Sequence, residues 1–475
     1  MQTRSLPMKY CGPSMIKLEN IQRIYFIGIG GIGMSALARY FSSHGVRVGG
    51  YDKTATRLTK DLEAEGIQIV YSDAEDLAPK DAQLVVYTPA VPPAHPQLNY
   101  YREHDYKVVK RSDVLGAITE NSFNICVAGT HGKTTISTMV AHILRHTGYG
   151  CNAFLGGISV NYNSNFWSSE KNVCVIEADE YDRSFLKLSP DVAVISAMDP
   201  DHLDIYGTEQ VMRDAFVQFS GKLKPDGLLV TRKGLPRENE MHAKRRLNYS
   251  FDDVTADIHP ANVKMEDGHF HFDVNISNDQ VKDVELNMGG LHNVENISVA
   301  IAIARQLRIE PQLVKNAVRE FRGVKRRFEY IVKKKDVVYI DDYAHHPREL
   351  SALIGSAKKL FSGFHCTVIF QPHLFSRTRD LAYDFARSLD EADNIVVLPI
   401  YPAREQPIDG VTAETITGKM KNSHVSILSK QEIEGYIKKK FVARNSNSRE
   451  LVITAGAGDI DTLVEPIGEL LNAAS

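Results

Sequence analysis

Residues 124 to 135 read Asn124-Ile125-Cys126-Val127-Ala128-Gly129-Thr130-His131-Gly132-Lys133-Thr134-Thr135. A short apolar run enters a glycine turn, and a helical pattern follows through His146. Strand, glycine loop and helix in that order are the context in which a loop cradles polyphosphate. Loop amides and the positive end of the helix point at the anion, so the backbone itself makes the site. Lys133 is expected to reach the outer phosphates, and the Thr134 hydroxyl to ligate Mg2+. The long form of the motif carries a further glycine where this chain has Val127. The loop is therefore expected to be a variant built on Gly129, Gly132, Lys133, Thr134 and Thr135. The bland alternative is a turn that only starts a buried helix.

The totals set bounds. At 475 residues the chain exceeds one hydrophobic core and predicts roughly two to four domains. With 43% hydrophobic and 24% charged residues it is globular in composition, and a net charge of -3 argues against a nucleic-acid partner. Five cysteines (Cys11, Cys126, Cys151, Cys174 and Cys366) form no Cys-x-x-Cys pair, which excludes a disulfide scaffold or zinc site of the usual spacing. That usage predicts a reducing compartment, the cytoplasm. No apolar run approaches about 18 residues, so no membrane span is expected. The first 15 residues lack the apolar stretch of a signal peptide and read as a loose tail, with Met15 an alternative start.

Upstream, Ile24 to Ile27 is a predicted strand that runs into Gly28-Ile29-Gly30-Gly31-Ile32-Gly33-Met34-Ser35. Gly28, Gly30 and Gly33 fit the fingerprint that seats a pyrophosphate on a helix. Met34, Leu37, Ala38 and Phe41 recur at helical spacing. A second strand, Val46 to Gly50, leads to Asp52, where an acidic residue accepts ribose hydroxyls. Leu84 to Tyr87 is a further strand. No clear second mononucleotide half is visible before residue 118, which argues against a nicotinamide or flavin cofactor; the fingerprint itself asks only for a pyrophosphate on a helix, and a nucleotide-sugar diphosphate meets that equally well. A glycine turn without a ligand is the alternative.

Downstream, Phe154 to Ile158 reads as a glycine-rich turn. Val173 to Ala178 is a strand followed by Asp179, Glu180 and Asp182. Glu177 and Asp179 at its carboxyl end are candidate oxygen donors for Mg2+. Val192 to Ala197 is the next strand, ending near Asp199, Asp201 and His202. His202 is either a metal or substrate ligand or an ion-pair partner. Two such strand ends suggest two divalent ions stabilising a transferring phosphoryl group. Strands are also expected at Leu228 to Thr231, His269 to Ile276 and Val284 to Met288. His292, Asn293 and Asn296 open a helix, either as caps or to read a base or sugar. Phe321 to Glu329 is a basic knot that marks a boundary. Beyond it, strands Val337 to Ile340, Thr367 to Phe370, Ile395 to Leu398 and Leu451 to Thr454 each end in polar or glycine residues, the crest of an α/β sheet.

These motifs resemble the Mur ligase family of peptidoglycan synthesis. The resemblance covers residues 21 to about 460 and rests on Gly28 to Ser35, Gly129 to Thr135, Glu177 to Phe185, Asp199 to Tyr206, His292 to Asn296, Arg326 to Phe328, Asp341 to Pro347 and His373 to Arg377. It implies an α/β fold of three domains: a Rossmann-like UDP-sugar domain at 16–118, a P-loop ATPase domain at 119–324 and a Rossmann-like amino-acid domain at 325–475. It implies ATP-dependent ligation of L-alanine to UDP-N-acetylmuramate through an acyl phosphate, with ATP and two Mg2+ ions, in a monomer or weak dimer.

By the same resemblance Gly28, Gly30, Gly31, Gly33, Met34, Ser35, Asp52 and Asp179 belong to the UDP-sugar side. Gly129, Thr130, His131, Gly132, Lys133, Thr134, Thr135, His292, Asn293, Asn296, Arg327 and Asp342 belong to the ATP side. Thr134, Glu177 and His202 would hold metal. Lys133, Glu177, His202 and Arg377 would carry the chemistry, and Tyr343, His345, His346 and His373 would line the amino-acid side. Residues 211 to 219 contain no lysine, so the carbamylated lysine of other family members is not expected. Three alternatives stand beside this reading: a ligase that attaches a whole murein tripeptide, a regulatory ATPase, and a dehydrogenase.

Overall fold

The computed structural model describes residues 18, 20–200, 203–266, 269–403, 405–442 and 448–473. They form two compact units. One takes in the described residues up to Lys133, with Tyr149–Gly156 and Asn165–Leu247; the other takes in Thr134–Gly148, Gly157–Ser164 and the chain from Asn248 onward.

In the first unit a five-stranded sheet runs in the order Gln68–Val70, Arg47–Tyr51, Arg23–Ile27, Leu84–Tyr87, Val108–Lys110, with all neighbours parallel. Its three central strands are largely buried, as parallel strands covered on both faces are, whereas the two edge strands are only partly so. The helix Ile32–Ser43 lays Met34, Leu37, Ala38 and Phe41 against them. Strand order reverses between Arg23–Ile27 and Leu84–Tyr87, and that switch point opens a crevice at the carboxyl ends. Two strands thus stand beyond the switch point, where no second half was legible. The outermost has only three residues, too few for a periodic signal.

Another run of strands is ordered Leu228–Arg232, Val192–Ile195, Phe123–Ala128, Val173–Glu177, Asn152–Ser159, Ser164–Trp167. Phe123–Ala128 sits between Val173–Glu177 and Val192–Ile195, parallel to both. The loop at its carboxyl end therefore lies between two other strand ends. Phe154 to Ile158, expected as a turn, belongs to the strand Asn152–Ser159. Its glycines mark close approach: Gly156 lies directly under the Glu177 carboxylate, which leaves no room for a side chain.

The second unit contains an antiparallel meander, Ile258–Glu266, His269–Ile276 and Asp279–Leu286. The last of these begins well before Val284, the expected start. Lys282, Asp283 and Glu285 on its solvent side interrupt the apolar signal, whereas Val281, Val284 and Leu286 are buried. A six-stranded sheet follows in the order Glu329–Lys333, Val337–Asp342, Glu450–Ala455, His365–Phe370, Asn394–Val397, Val425–Ile427. Only Glu329–Lys333 runs antiparallel to its neighbour. The loops after Asp342, Phe370, Val397 and Ala455 consequently emerge on one edge. No described helix is long and apolar enough to cross a membrane.

Candidate active site

The Gly129–Lys133 loop is held in shape by the neighbouring strand end. Thr130 N–H donates to the Ala197 carbonyl at 3.0 Å, and Asp199 N–H donates to Thr130 Oγ1 at 3.1 Å. Ser196 Oγ bonds the carbonyls of Ala128 and His131. Gly129 has φ +131, and a methyl there would lie 2.7 Å from the Ala197 nitrogen, so only glycine fits. Gly132, at φ +81, makes the last turn before the helix Lys133–His146. His131 reaches Asp199 at 3.5 Å, and both are exposed.

Lys133 Nζ donates to the Gly129 carbonyl at 2.6 Å and to Glu180 Oε1 at 2.7 Å. The pair is enclosed, with the lysine side chain 15% and the glutamate 1% exposed. Burial pulls the ammonium down, but Glu180 and Glu177 together hold it above the usual lysine range. Burial raises the Glu180 carboxyl, and Lys133 opposes that rise. Glu180 Oε2 has no hydrogen-bond partner among the described residues.

Glu177 ends the adjacent strand and accepts from Gly156 N–H at 2.8 Å. Just beyond, Asp182 and Arg183 adopt left-handed backbone at φ +52 and +54, fixed by Ser184 Oγ and Tyr181 N–H bonding to Asp179. Strained backbone of this kind clusters at ligand sites. Asp179 lies 3.7 Å from Arg111, whose guanidinium also covers Gly33, and these residues line a small cleft with Ser112, Glu177 and Ser184. Among the described residues no three acidic, histidine or cysteine side chains converge as a metal cage. His202 lies outside the described residues.

In the first sheet, Gly28 and Ile29 N–H both donate to the Tyr51 carbonyl, at 2.8 and 3.0 Å. The Asp52 carboxylate receives Gly30 N–H at 2.8 Å and Thr54 N–H at 3.2 Å. A methyl at Gly30 would meet Thr59 Cγ2 at 2.6 Å. Asp52 therefore shapes the glycine loop itself. Gly31 caps the following helix, and Met34 and Ser35 are both buried at its start, Ser35 taking a 3.0 Å bond from Asn165. These two support the loop from behind.

In the second unit Thr134 and Thr135 are buried on their helix, and Gly157 gives Thr134 space that a methyl would fill. Asn293 Nδ2 donates to the Gly289 carbonyl at 2.6 Å, and Asn296 donates to Asn293 Oδ1 at 3.3 Å, both buried, whereas His292 is exposed. The helix Leu291–Gln306 has Gly290 at its N-cap, so none of the three is the cap residue. Asp342 accepts from Phe328 N–H at 2.6 Å and Ala344 N–H at 2.7 Å. The basic knot divides its labour. Arg326 pairs with buried Asp341 at 3.2 Å, while Arg327 lies over the Tyr343 ring at 5.2 Å and its charge opposes the burial that raises the Asp342 carboxyl.

Tyr343, His345 and His373 come together: Tyr343 meets His345 edge-on at 5.3 Å, and His345 meets His373 at 6.1 Å. Burial holds both imidazoles down, His373 to about 4, and Arg377 pushes the same way. Both shifts favour the neutral ring, beside an Arg377 whose Nη1 has no hydrogen-bond partner among the described residues. His346 is spent differently, as N-cap of Pro347–Leu360 in a capping box with Glu349. Sequence reasoning passed over Glu180 as the lysine's partner, Arg111 over the glycine loop, and Tyr401 beside His373. Only Arg111 carried a signal, a cation at the end of a strand.

The profile described as "Mur ligase family, catalytic domain" matches residues 23–123, "Mur ligase middle domain" matches 127–304, and "Mur ligase, glutamate ligase domain" matches 326–458. The UDP-N-acetylmuramate–L-alanine ligase of Cytophaga hutchinsonii is 45% identical over 461 residues, covering 95% of this chain and 97% of that protein. The protein of the same name from Parabacteroides distasonis is 46% identical over 463 residues, covering 96% and 98%. The crystal structure of UDP-N-acetylmuramate–alanine ligase from Thermotoga maritima superposes with a TM-score of 0.80 at 29% identity, covering 95% of this chain and all of that one.

Proposed function

This chain belongs to the Mur ligase family, and we propose on that footing that it joins L-alanine to UDP-N-acetylmuramate at the expense of ATP. Its architecture is the family's three-domain one, with Rossmann-like and ATPase-like parts. We place the domains at 16–118, 119–324 and 325–475. The observation that carries the function is the Gly129–Lys133 loop with Glu177 at the next strand end, in a chain that matches alanine-adding relatives along nearly its whole length.

Gly28 to Gly33 hold the diphosphate of the sugar nucleotide, and Asp52, which already fixes Gly30, faces its ribose. The lactyl carboxylate attacks the γ-phosphate of ATP; a carboxyl O–P bond forms and the bond to ADP breaks. Lys133 exchanges Glu180 for the phosphates and offsets charge on the transferring group. Thr134, Glu177 and His202 would hold two Mg2+ ions, which supply further positive charge at the phosphates when bound. Asn293 and Asn296 flank the nucleotide, and Asp342 takes the ATP ribose. The acyl phosphate then meets the uncharged amine of L-alanine, with Arg377 near its carboxylate and His345 and His373 neutral beside it. A C–N bond forms, phosphate leaves, and the amine proton is lost. The enzyme is cytoplasmic and acts as a monomer or weak dimer.

The test incubates the protein with ATP, Mg2+ and UDP-N-acetylmuramate, adds L-alanine or the murein tripeptide, and reads the mass of the sugar nucleotide. A gain of one alanine residue is expected. A gain only with tripeptide would refute the choice of amino acid, and phosphate release without the sugar nucleotide would refute a ligase.

A further inference from the structure

The ring pair His345–His373 continues into a residue not yet given a role. Tyr401 stacks on His373 at 5.8 Å with planes 24° apart, which makes a row of four half-buried rings: Tyr343, His345, His373 and Tyr401. Tyr401 is held on three sides. Its N–H donates to the Pro372 carbonyl at 2.8 Å, and its carbonyl accepts Leu374 N–H at 2.9 Å. Gly458 packs beneath it so closely that a methyl there would lie 2.6 Å from Tyr401 Cβ.

The backbone around this clamp is strained. Leu374 has φ +72 and ψ 137, and Ala403 has φ +50, both costly for residues with a side chain. Four residues past Tyr401, Glu405 receives Ser376 N–H at 2.9 Å and also bonds Ser376 Oγ. Tyr401 and Glu405 therefore hold the 373–376 segment at two points, one at each end. A wall fixed this way cannot swing aside for a larger ligand without breaking both contacts.

We propose that Tyr401 is the specificity-determining wall of the amino-acid pocket, its ring limiting the α-substituent to about the size of a methyl group. The inference rests on the proposed alanine-adding reaction and adds the residue that sets its selectivity. The rings offer an apolar face for a small side chain, and Arg377 beside them offers the cation for the α-carboxylate. Removing the ring opens room on the side-chain end and leaves the cation in place. Selectivity should then change chiefly through KM for the amino acid, with KM for ATP and the sugar nucleotide unmoved.

The experiment compares wild type, Tyr401→Phe and Tyr401→Ala for kcat and KM with L-alanine, L-valine and L-leucine, scoring products by mass. Tyr401→Phe is expected to keep wild-type selectivity. Tyr401→Ala is expected to narrow the preference for alanine over valine by about tenfold or more, since a methylene-sized discrimination is worth that much. Equal loss of kcat/KM for all three amino acids in Tyr401→Ala would overturn the proposal and leave Tyr401 as a prop for His373. If Tyr401→Ala does not fold, Tyr401→Leu decides between the same two outcomes. Wild type that makes no alanine product in this assay would instead indict the parent reaction.

Discussion

Replacing Lys133 by methionine should cost both activity and stability, and the two losses should be separable. Lys133 and Glu180 meet at 2.7 Å, with the glutamate 1% exposed and its second oxygen without a partner among the described residues. Removing one member of a buried pair strands the other charge, at a cost of about 3–5 kcal/mol. For a folding unit of a few hundred residues that corresponds to a fall in melting temperature on the order of 10 °C. Replacing Glu180 by glutamine in the same chain removes the stranded charge. Lys133→Met with Glu180→Gln should therefore recover most of the stability and none of the turnover. The assay is thermal unfolding without ligand, run beside phosphate release and direct titration of the sugar nucleotide. Sugar-nucleotide binding should survive in both variants, because the glycine loop at Gly28 to Gly33 is untouched. A Lys133→Met melting temperature within about 1 °C of wild type, below the shift expected for even a weak buried pair, would refute the reasoning, as would turnover in the double variant.

Other consequences follow from single sites. Gly129→Ala should abolish ATP binding, because a methyl meets the Ala197 nitrogen at 2.7 Å and the loop must deform; unchanged ATP affinity by calorimetry would contradict this. Gly30→Ala should weaken the sugar nucleotide by tenfold or so while sparing ATP, since it pushes on Asp52 and Thr59; this follows from about 1.4 kcal/mol of displaced contact, read by titration of each ligand. Asp341 carries a pH signature. Burial pushes its carboxyl up to about 7, with Arg326 and Thr454 acting against the rise. A raised acid binds its proton more tightly when folded, so its contribution is full below the unfolded value near about 4 and is lost as pH rises through 7. Asp341→Asn should flatten the decline of unfolding free energy between pH 5 and 7; an identical slope in the variant would show that Asp341 titrates normally.

What the sequence revealed and what it hid divide along sequence distance. The backbone around the Gly129 to Lys133 loop was legible because its pattern is local, a strand, two glycines and a helix start within a dozen positions. The strand ends at Glu177 and Asp342 were legible for the same reason. The Lys133–Glu180 pair spans 47 positions, and nothing local at Glu180 distinguishes it from Asp179 or Asp182. Phe154 to Ile158 read as a turn because its glycines signal one, yet Gly156 makes way for the Glu177 carboxylate and Gly157 for Thr134 and Val324. Met34 and Ser35 follow the fingerprint glycines, but the helix rotates both inward. His346 was drawn into the amino-acid side by its neighbour His345, although Pro347 and Glu349 after it spell a helix cap. Tyr401 stands 28 positions after His373, and only the fold stacks them.

The most direct test of carboxylate activation labels the lactyl carboxylate of UDP-N-acetylmuramate with oxygen-18 and follows the label through one turnover with ATP and L-alanine. Attack of that carboxylate on the γ-phosphate, with Lys133 opposing the charge, requires one labelled oxygen to appear in the released phosphate. Phosphate free of label, with the alanine product formed, would contradict an acyl-phosphate route through this site.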